Sequence, residues 1–180
     1  MKKQTTREQL LDSAFQSFYK YGFQGANIAT ILNDVGINKG SMYHFFKSKK
    51  DLGLAVISER IEKSLVDKYT KVLAKDEALK HLFDTLRSAP ETLVYGCPLN
   101  KMSQEMVYID DTFKQTLSSV YSTFETLIEQ ILLKEQINHT KRKSRLIIAT
   151  YEGALMVYHL TQDKVMFRES LTELEHSLSL

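Results

Sequence analysis

The sequence predicts an all-α protein, and three observations lead to that prediction. Helix starts recur along the chain, with Ser, Thr or Asn placed before apolar residues at 3–4 spacing. No segment combines period-two alternation with the turn residues that a hairpin needs. The chain has only two prolines in 180 residues, so long helices can run uninterrupted. We expect about nine helices on this pattern.

The first three predicted helices comprise one long helix followed by two short ones. They are predicted from Thr5 to Gly22, from Asn27 to Gly36, and from Asn38 to about Phe45. Thr and Asn side chains cap helix N-termini, and glycine ends the first two helices because it adopts positive φ readily. Two short helices joined by a three-residue turn that contains glycine form the helix-turn-helix pattern.

The later helices are longer. Ser48 and Asp51 have capping-box spacing and start a helix that reaches about Val72. The others are predicted over Glu77–Arg87, Leu99–Tyr108, Asp111–Glu135, Lys141–His159 and Met166–Leu178. We therefore predict a helix-turn-helix DNA-binding domain over residues 1–48 and a helical ligand-binding and dimerisation domain over residues 49–180.

Positive charge is concentrated at one end of the chain. Residues 1–50 hold eight Lys or Arg and three Asp or Glu, a net +5, whereas the whole chain carries +2, so the rest carries −3. This distribution is expected when only one part of a protein neutralises phosphates.

The stretch Gly25–Leu54, GANIATILNDVGINKGSMYHFFKSKKDLGL, resembles the N-terminal domain of the TetR family of transcriptional repressors (TetR/AcrR type). The most specific part is VGINKGSMYHFF followed by SKKDL. The resemblance implies that Tyr43, His44 and Lys49 hold backbone phosphates. Asn27 stands where the family commonly has a Thr that caps the helix and touches phosphate.

The base edges are expected to be read from the start of the third helix. The candidates are Asn38, Lys39, Ser41 and Met42, and Gly40 would let the backbone approach the DNA. The partner is therefore double-stranded operator DNA, and repression is implied by the resemblance alone. The operator sequence and the regulated genes are not readable from this chain.

A palindromic operator requires two copies of the DNA-binding domain at fixed spacing, so we expect a homodimer. The last two helices carry a strip of small residues and an apolar stripe. The predicted interface residues are Ala149, Gly153, Val157, Phe167, Leu171, Leu174 and Leu178. The alternative is that both stripes pack inside one monomer.

A small apolar inducer is expected in the helical domain, because Met and aromatic side chains suit an adaptable apolar cavity. The candidate pocket residues are Phe83, Met102, Met106, Tyr121, Phe124 and Tyr151. Such stripes are more often core than pocket, and the identity of the inducer is not readable.

Cys97, the single cysteine, is a redox candidate. Pro98 fits the first position of a helix, which places Cys97 at its N-cap, where the helix dipole favours thiolate and Lys101 follows one turn on. The Gly96–Asn100 segment is similar to one in a branch of the family that includes electrophile and oxidant sensors. A thiol-based sensor repressor is therefore the alternative to a ligand-released one, and a buried inert cysteine is the alternative to both.

Other function classes are less well supported. The sequence offers no metal-ligand cluster, phosphate loop or nucleophile with a spaced base, so we expect no enzyme, metal or cofactor. A helical protein-interaction adaptor would not explain the basic N-terminal region. The polar N-terminus and the lack of an apolar run of about 20 residues predict a cytoplasmic protein without a membrane span.

Overall fold

A computed structural model describes residues 5–178, which are helical without any strand in that range. The α-helices are α1 (Thr6–Gly25), α2 (Ile28–Val35), α3 (Lys39–Tyr43), α4 (Lys49–Val56), α5 (Lys63–Leu73), α6 (Ala78–Arg87), α7 (Ala89–Thr92), α8 (Pro98–Met106), α9 (Asp111–Lys134), α10 (Thr140–Thr161) and α11 (Lys164–Leu178). A π-helical turn (Ile57–Glu62) joins α4 to α5 without a break.

The predicted starts of α1 and α4 are confirmed by their side-chain caps. Thr5 Oγ1 accepts from the Glu8 N–H, and Ser48 Oγ accepts from the Asp51 N–H at 3.0 Å. Each cap satisfies one of the backbone N–H groups that a helix leaves open in its first turn. Pro98 begins α8 as predicted.

Besides the π-helical turn, which was not predicted, three α-helices differ from the predictions. Helix α3 ends at Tyr43 rather than about Phe45. Helix α7 lies at Ala89–Thr92, where the sequence predicted only a break. Helix α1 continues to Gly25, with a kink at the predicted end, Gly22, which has φ +77°. Glycine is suited to this kink because other residues are strained at positive φ.

The chain divides into two compact units. The first contains the residues up to Lys63 together with Lys101–Val120, and the second contains Ser64–Asn100 together with the residues from Tyr121 onward. The units therefore do not divide at residues 48 and 49, since the first also takes in α4, the π-helical turn and residues 101–120.

The first unit is built on α1. Its core includes Leu10, Leu11, Ala14, Leu52 and Val56, none of them exposed.

An aromatic cluster extends this core. The Phe23 ring lies 5.2 Å from Phe18 and 4.8 Å from Phe113 between centroids. A Cβ on Gly53 would lie 2.5 Å from a Phe23 ring carbon and 2.9 Å from one of Phe113. Glycine is therefore required on α4 for these rings to pack.

The second unit has one continuous core. It is formed mainly by α6, the second half of α9, α10 and α11, and its fully buried members include Leu82, Phe83, Ile128, Ile131, Ile147, Phe167 and Leu171. An Arg87–Glu175 ion pair lies between α6 and α11. No helix in residues 5–178 has the length and apolar character needed to cross a bilayer.

Candidate nucleic-acid interface

The α2–turn–α3 segment is held by its own backbone and two asparagines. Asn27 Oδ1 accepts from the Ala29 N–H at 2.8 Å, and Asn38 Oδ1 accepts from the Ser41 N–H at 2.8 Å. Gly36 ends α2 in the left-handed conformation with φ +71°, as predicted. The Ile37 N–H then donates to the Leu32 carbonyl at 3.1 Å, which fixes the turn between the two helices.

Most of the predicted DNA contacts lie on one exposed surface. Asn27, Asn38, Lys39, Gly40, Tyr43 and His44 are exposed, and Ser41 is half-buried. Tyr43 is 50% exposed although it is aromatic. An exposed phenol beside exposed polar groups is available to a partner rather than to the core.

A cleft of about 550 Å³ lies on this surface. It is lined by Asn27, Ile28, Ala29, Leu32, Asn33, Ile37, Asn38, Lys39, Met42, Tyr43 and Lys49. The amides, the ammonium and the phenol supply hydrogen-bond partners for phosphates or base edges. The structure thus brings six of the predicted DNA-binding residues to one cleft.

Met42 differs from the other predicted base-contacting residues, because its side chain is buried. It is 2% exposed and packs in the core of the first unit, so its prediction as a base-contacting residue is wrong. The five-residue helix α3 is less than two turns long, which is too short for periodicity to separate its inner and outer faces.

Lys49 differs from the expectation of a free phosphate ligand. Its Nζ donates to the carbonyls of Gln24 at 3.3 Å and Ala26 at 2.6 Å, and it lies 4.9 Å from the Phe23 ring centroid. Partial burial lowers the Lys49 pKa, against the opposing attraction of Glu105. Lys49 therefore holds the end of α1 in this structure, and Lys39 and Lys47 are the exposed cations nearby.

Asn33 was missed by sequence reasoning. It is exposed on α2 and lines the same cleft. The inward positions of α2, such as Ile31 and Leu32, would have identified it, because an amide on the opposite face of a short amphipathic helix faces solvent.

The predicted dimer residues fall into two groups. Ala149 and Gly153 are exposed on α10, and Val157 is half-buried beside them. Phe167, Leu171, Leu174 and Leu178 on α11 are 0%, 0%, 6% and 2% exposed within the single chain. Their prediction as interface residues is wrong, because an apolar stripe does not reveal whether its partner is the same chain or another.

The predicted pocket residues are also divided. Phe83, Phe124 and Tyr151 pack together in the core of the second unit, where Tyr121 is 39% exposed. Met102 and Met106 are buried in the first unit. Packing within each core explains their burial, and a role in ligand binding stays a prediction.

Cys97 lies at the N-terminus of α8 as expected, but in a different electrostatic setting. Burial and the nearby Glu152 carboxylate raise the Cys97 pKa, while the Asn100 and Leu99 N–H groups lower it in part. The Lys101 ammonium, expected to help the thiolate, donates to the Tyr19 and Lys20 carbonyls at 2.8 and 3.2 Å. Burial and Glu152 therefore oppose the thiolate that the helix N-terminus was expected to favour.

Glu152 is the polar partner that the sequence did not single out. Its Oε2 accepts from Asn100 Nδ2 at 2.9 Å, and it also shares a hydrogen bond with the Cys97 thiol. Burial raises the Glu152 pKa, and these two hydrogen bonds oppose the rise. Two turns along α10, His159 Nε2 is buried and makes no hydrogen bond with the described residues.

Two family models match the chain. Residues 10–56 match the model of bacterial regulatory proteins of the tetR family. Residues 76–172 match the model of the C-terminal domain of LmrA/YxaF-like transcriptional regulators. Together they cover the α2–turn–α3 surface and most of the second unit.

Individual relatives agree with these models. An uncharacterised HTH-type transcriptional regulator from Lactococcus lactis subsp. lactis is 29% identical over 171 residues, 88% of this chain and 85% of that protein. The HTH-type transcriptional repressor NemR of Escherichia coli K12 is 28% identical over 141 residues, 74% of this chain and 70% of that protein.

Solved structures share the fold. A TetR transcriptional regulator from Chloroflexus aurantiacus J-10-FL superposes with a TM-score of 0.86 at 24% identity, covering 97% of this chain and 94% of that one. The reduced form of Escherichia coli NemR gives a TM-score of 0.84 at 20% identity, covering 95% of each chain.

Proposed function

Because the chain belongs to the tetR family of bacterial regulatory proteins, we propose that it is a repressor that binds a palindromic operator as a homodimer and is released by a small apolar ligand. The observation that carries this proposal is the exposed α2–turn–α3 surface. Lys39, Tyr43 and His44 are exposed on a segment whose helix starts are capped by Asn27 and Asn38, where they can meet phosphates and base edges.

The test is selection of a binding site from a random duplex library with the wild-type protein, followed by affinity measurements at two salt concentrations. The logarithm of the binding constant should fall linearly with the logarithm of the salt concentration, because phosphate contacts release counterions.

The variant Tyr43→Phe gives a second test. It should lower affinity for DNA by about 3- to 10-fold through the loss of one hydrogen bond, with little dependence on the DNA sequence. Tyr108→Phe is the matched control, since Tyr108 is 94% exposed and lies outside the cleft. Recovery of no enriched sequence would contradict the proposal.

The proposed dimer face lies on α10. Ala149, Gly153, Met156 and Leu160 are exposed on this helix, and small residues allow another helix to approach closely. A second copy of the same face would form an isologous interface of the kind that matches a palindrome.

A thiol-responsive repressor is the second candidate, favoured by the hydrogen bond between Cys97 and Glu152. A carboxylate in contact with a thiol can accept its proton as the sulfur attacks an electrophile and forms a bond to it. The relative NemR has been solved in a form described as reduced. The helical adaptor is left without support by the match of residues 10–56 to the tetR model.

Alkylation kinetics distinguish the two candidates. With its raised pKa, Cys97 should react with iodoacetamide at pH 7 more slowly than free cysteine, because the thiolate is the nucleophile. The unfolded protein should react at the rate of free cysteine. Thiol sensing requires that the modified protein lose operator affinity and that Cys97→Ser abolish the response. Unchanged affinity after full modification would exclude it.

A further inference from the structure

The end of α1 is held by a pair of side chains from α8. Glu105 Oε2 accepts from the Phe23 N–H at 2.7 Å, and Oε1 accepts from the Gln24 N–H at 2.5 Å. One turn earlier on α8, Lys101 donates to the Tyr19 and Lys20 carbonyls. One helix thus satisfies both donors and acceptors of the segment that leads into α2.

Gly22 makes this contact possible. Its φ of +77° turns the Phe23 and Gln24 N–H groups toward the carboxylate. A Cβ at this position would lie 2.8 and 3.2 Å from the two Glu105 carboxylate oxygens. The contact therefore depends on glycine at the kink, since a side chain at residue 22 would displace the Glu105 carboxylate.

The same segment connects directly to the DNA-binding surface. Ala26 follows it, and its carbonyl accepts from Lys49 at 2.6 Å. The next residue, Asn27, caps α2 and lines the cleft. The conformation of residues 22–26 consequently sets where α2 begins relative to α1.

We propose that Glu105 and Lys101 are positioning residues for DNA binding, which fix the end of α1 so that α2 and α3 are presented in the binding orientation. This inference rests on the proposed function. It assigns to two residues distant in sequence from the helix-turn-helix a role that requires no contact with DNA. Loss of the contact leaves two backbone N–H groups without their partner and lets the segment adopt other conformations, which binding must then exclude.

Electrostatics makes Glu105→Gln a sharp test. Removing a negative charge from the first unit should by itself raise affinity for DNA, because less repulsion of phosphate remains. A positioning role of Glu105 predicts instead that affinity for the specific site falls. A glutamine offers one acceptor oxygen and an NH₂ group that cannot accept, so one of the two N–H contacts is lost.

The measurement compares the wild type, Glu105→Gln and Glu169→Gln. Glu169 is an exposed carboxylate on α11 and serves as the control for the loss of one charge. Affinity is measured for the duplex selected with the wild type and for poly(dI-dC), with a thermal melt of each protein. Glu105→Gln should lose about tenfold in affinity for the selected duplex, while its affinity for poly(dI-dC) stays equal to or rises above that of the wild type, since non-specific binding depends on charge.

Two outcomes would overturn the positioning inference, and a third would contradict the proposed function. A specific affinity equal to or above that of the wild type overturns the inference, as does a parallel loss of both affinities with a lower melting temperature. If the wild type selects no sequence, the proposed function itself fails, which is a distinguishable result. Should Glu105→Gln not fold, Lys101→Met is compared with Lys114→Met, at an exposed position of α9, and equal losses in that pair overturn the inference.

Discussion

At the scale of the residue, Asn38 serves the fold and the proposed interface at once. Its Oδ1 accepts hydrogen bonds from both the N–H and the hydroxyl of Ser41, so the side-chain oxygen is used in capping α3. The side chain nevertheless lines the cleft and is exposed. Its remaining NH₂ group is therefore the part available to DNA.

Asn38→Asp should separate these two roles. Asp caps helices as well as Asn does, so the melting temperature should stay within about 2 °C of the wild type. The new negative charge should lower operator affinity by about tenfold, because it faces phosphate. Thr5→Asp, which adds the same charge at the N-cap of α1, is the control. Equal affinity losses in the two variants would contradict a location of Asn38 at the interface.

Glu152 gives a prediction of pH-dependent stability. Its folded-state pKa is raised, mainly by burial, so the folded protein binds the proton more tightly than the unfolded one. Stability from this group is present below its ordinary pKa of 4.5 and is lost as the pH rises through the folded value.

Glu152→Gln removes the loss of stability that comes from ionising the buried carboxyl, while the glutamine side-chain oxygen still accepts from Asn100. Thermal melts should show the variant above the wild type at pH 8, with the difference shrinking toward pH 4. A variant less stable than the wild type at pH 8 would show that the ionised carboxylate contributes more through its hydrogen bonds than burial costs.

At the scale of the element, the helix starts could be predicted and the contacts between distant segments could not. The caps of α1, α2, α3 and α4 depend on residues three apart or closer, which the sequence displays directly. The contact of Glu105 with Phe23 joins residues 82 positions apart. No local pattern reveals such a pairing, because it depends on how the helices pack.

The π-helical turn was not predicted for the same reason. Its residues Glu59 and Arg60 pair with α1: Arg7 donates to Glu59 at 2.5 and 2.7 Å, and Arg60 Nε donates to Asp12 at 2.5 Å. Apolar spacing alone is compatible with a regular α-helix over this stretch. Only the packing against α1 distinguishes the wider turn.

The Arg7–Glu59 pair should contribute to acid sensitivity. The hydrogen bond from Arg7 holds the Glu59 pKa below its ordinary value of 4.5, so this stabilisation is present above pH 4.5 and is lost as the pH falls through the folded value. Because both side chains are more than a third exposed, the contribution should be under about 1 kcal/mol. Urea unfolding at pH 6 and pH 3 should show a smaller acid-induced loss for Glu59→Gln than for the wild type. Equal losses would assign the acid sensitivity to other carboxylates.

At the scale of the whole molecule, the proposed assembly depends on the exposed face of α10. The sequence predicted Ala149 and Gly153 as interface residues, and both are exposed in the single chain. It could not separate them from the α11 stripe, because core and interface use the same apolar side chains. The structure separates the two sets, because the α11 residues are buried within one chain and the α10 residues are exposed.

Gly153→Arg should abolish dimerisation without unfolding the protein. A Cβ at Gly153 meets nothing within 4 Å, and replacing a helical glycine favours the helix by up to about 1 kcal/mol. Sedimentation should show a monomer with wild-type helical circular dichroism and operator affinity reduced at least 100-fold, since one half-site binds weakly. Glu169→Arg, at an exposed position of α11, is the control. A dimeric Gly153→Arg protein would place the interface on another face.

The π-helical turn at Ile57–Glu62 also bears on how the length of this chain can change during evolution. A π-helical turn holds one residue more than an α-helical turn, so deleting one residue there restores a regular helix and keeps both flanking segments facing the same way. The same deletion in α5 would rotate every later position of that helix by about 100°. Homologous chains one residue shorter are therefore expected to carry their gap within these six residues.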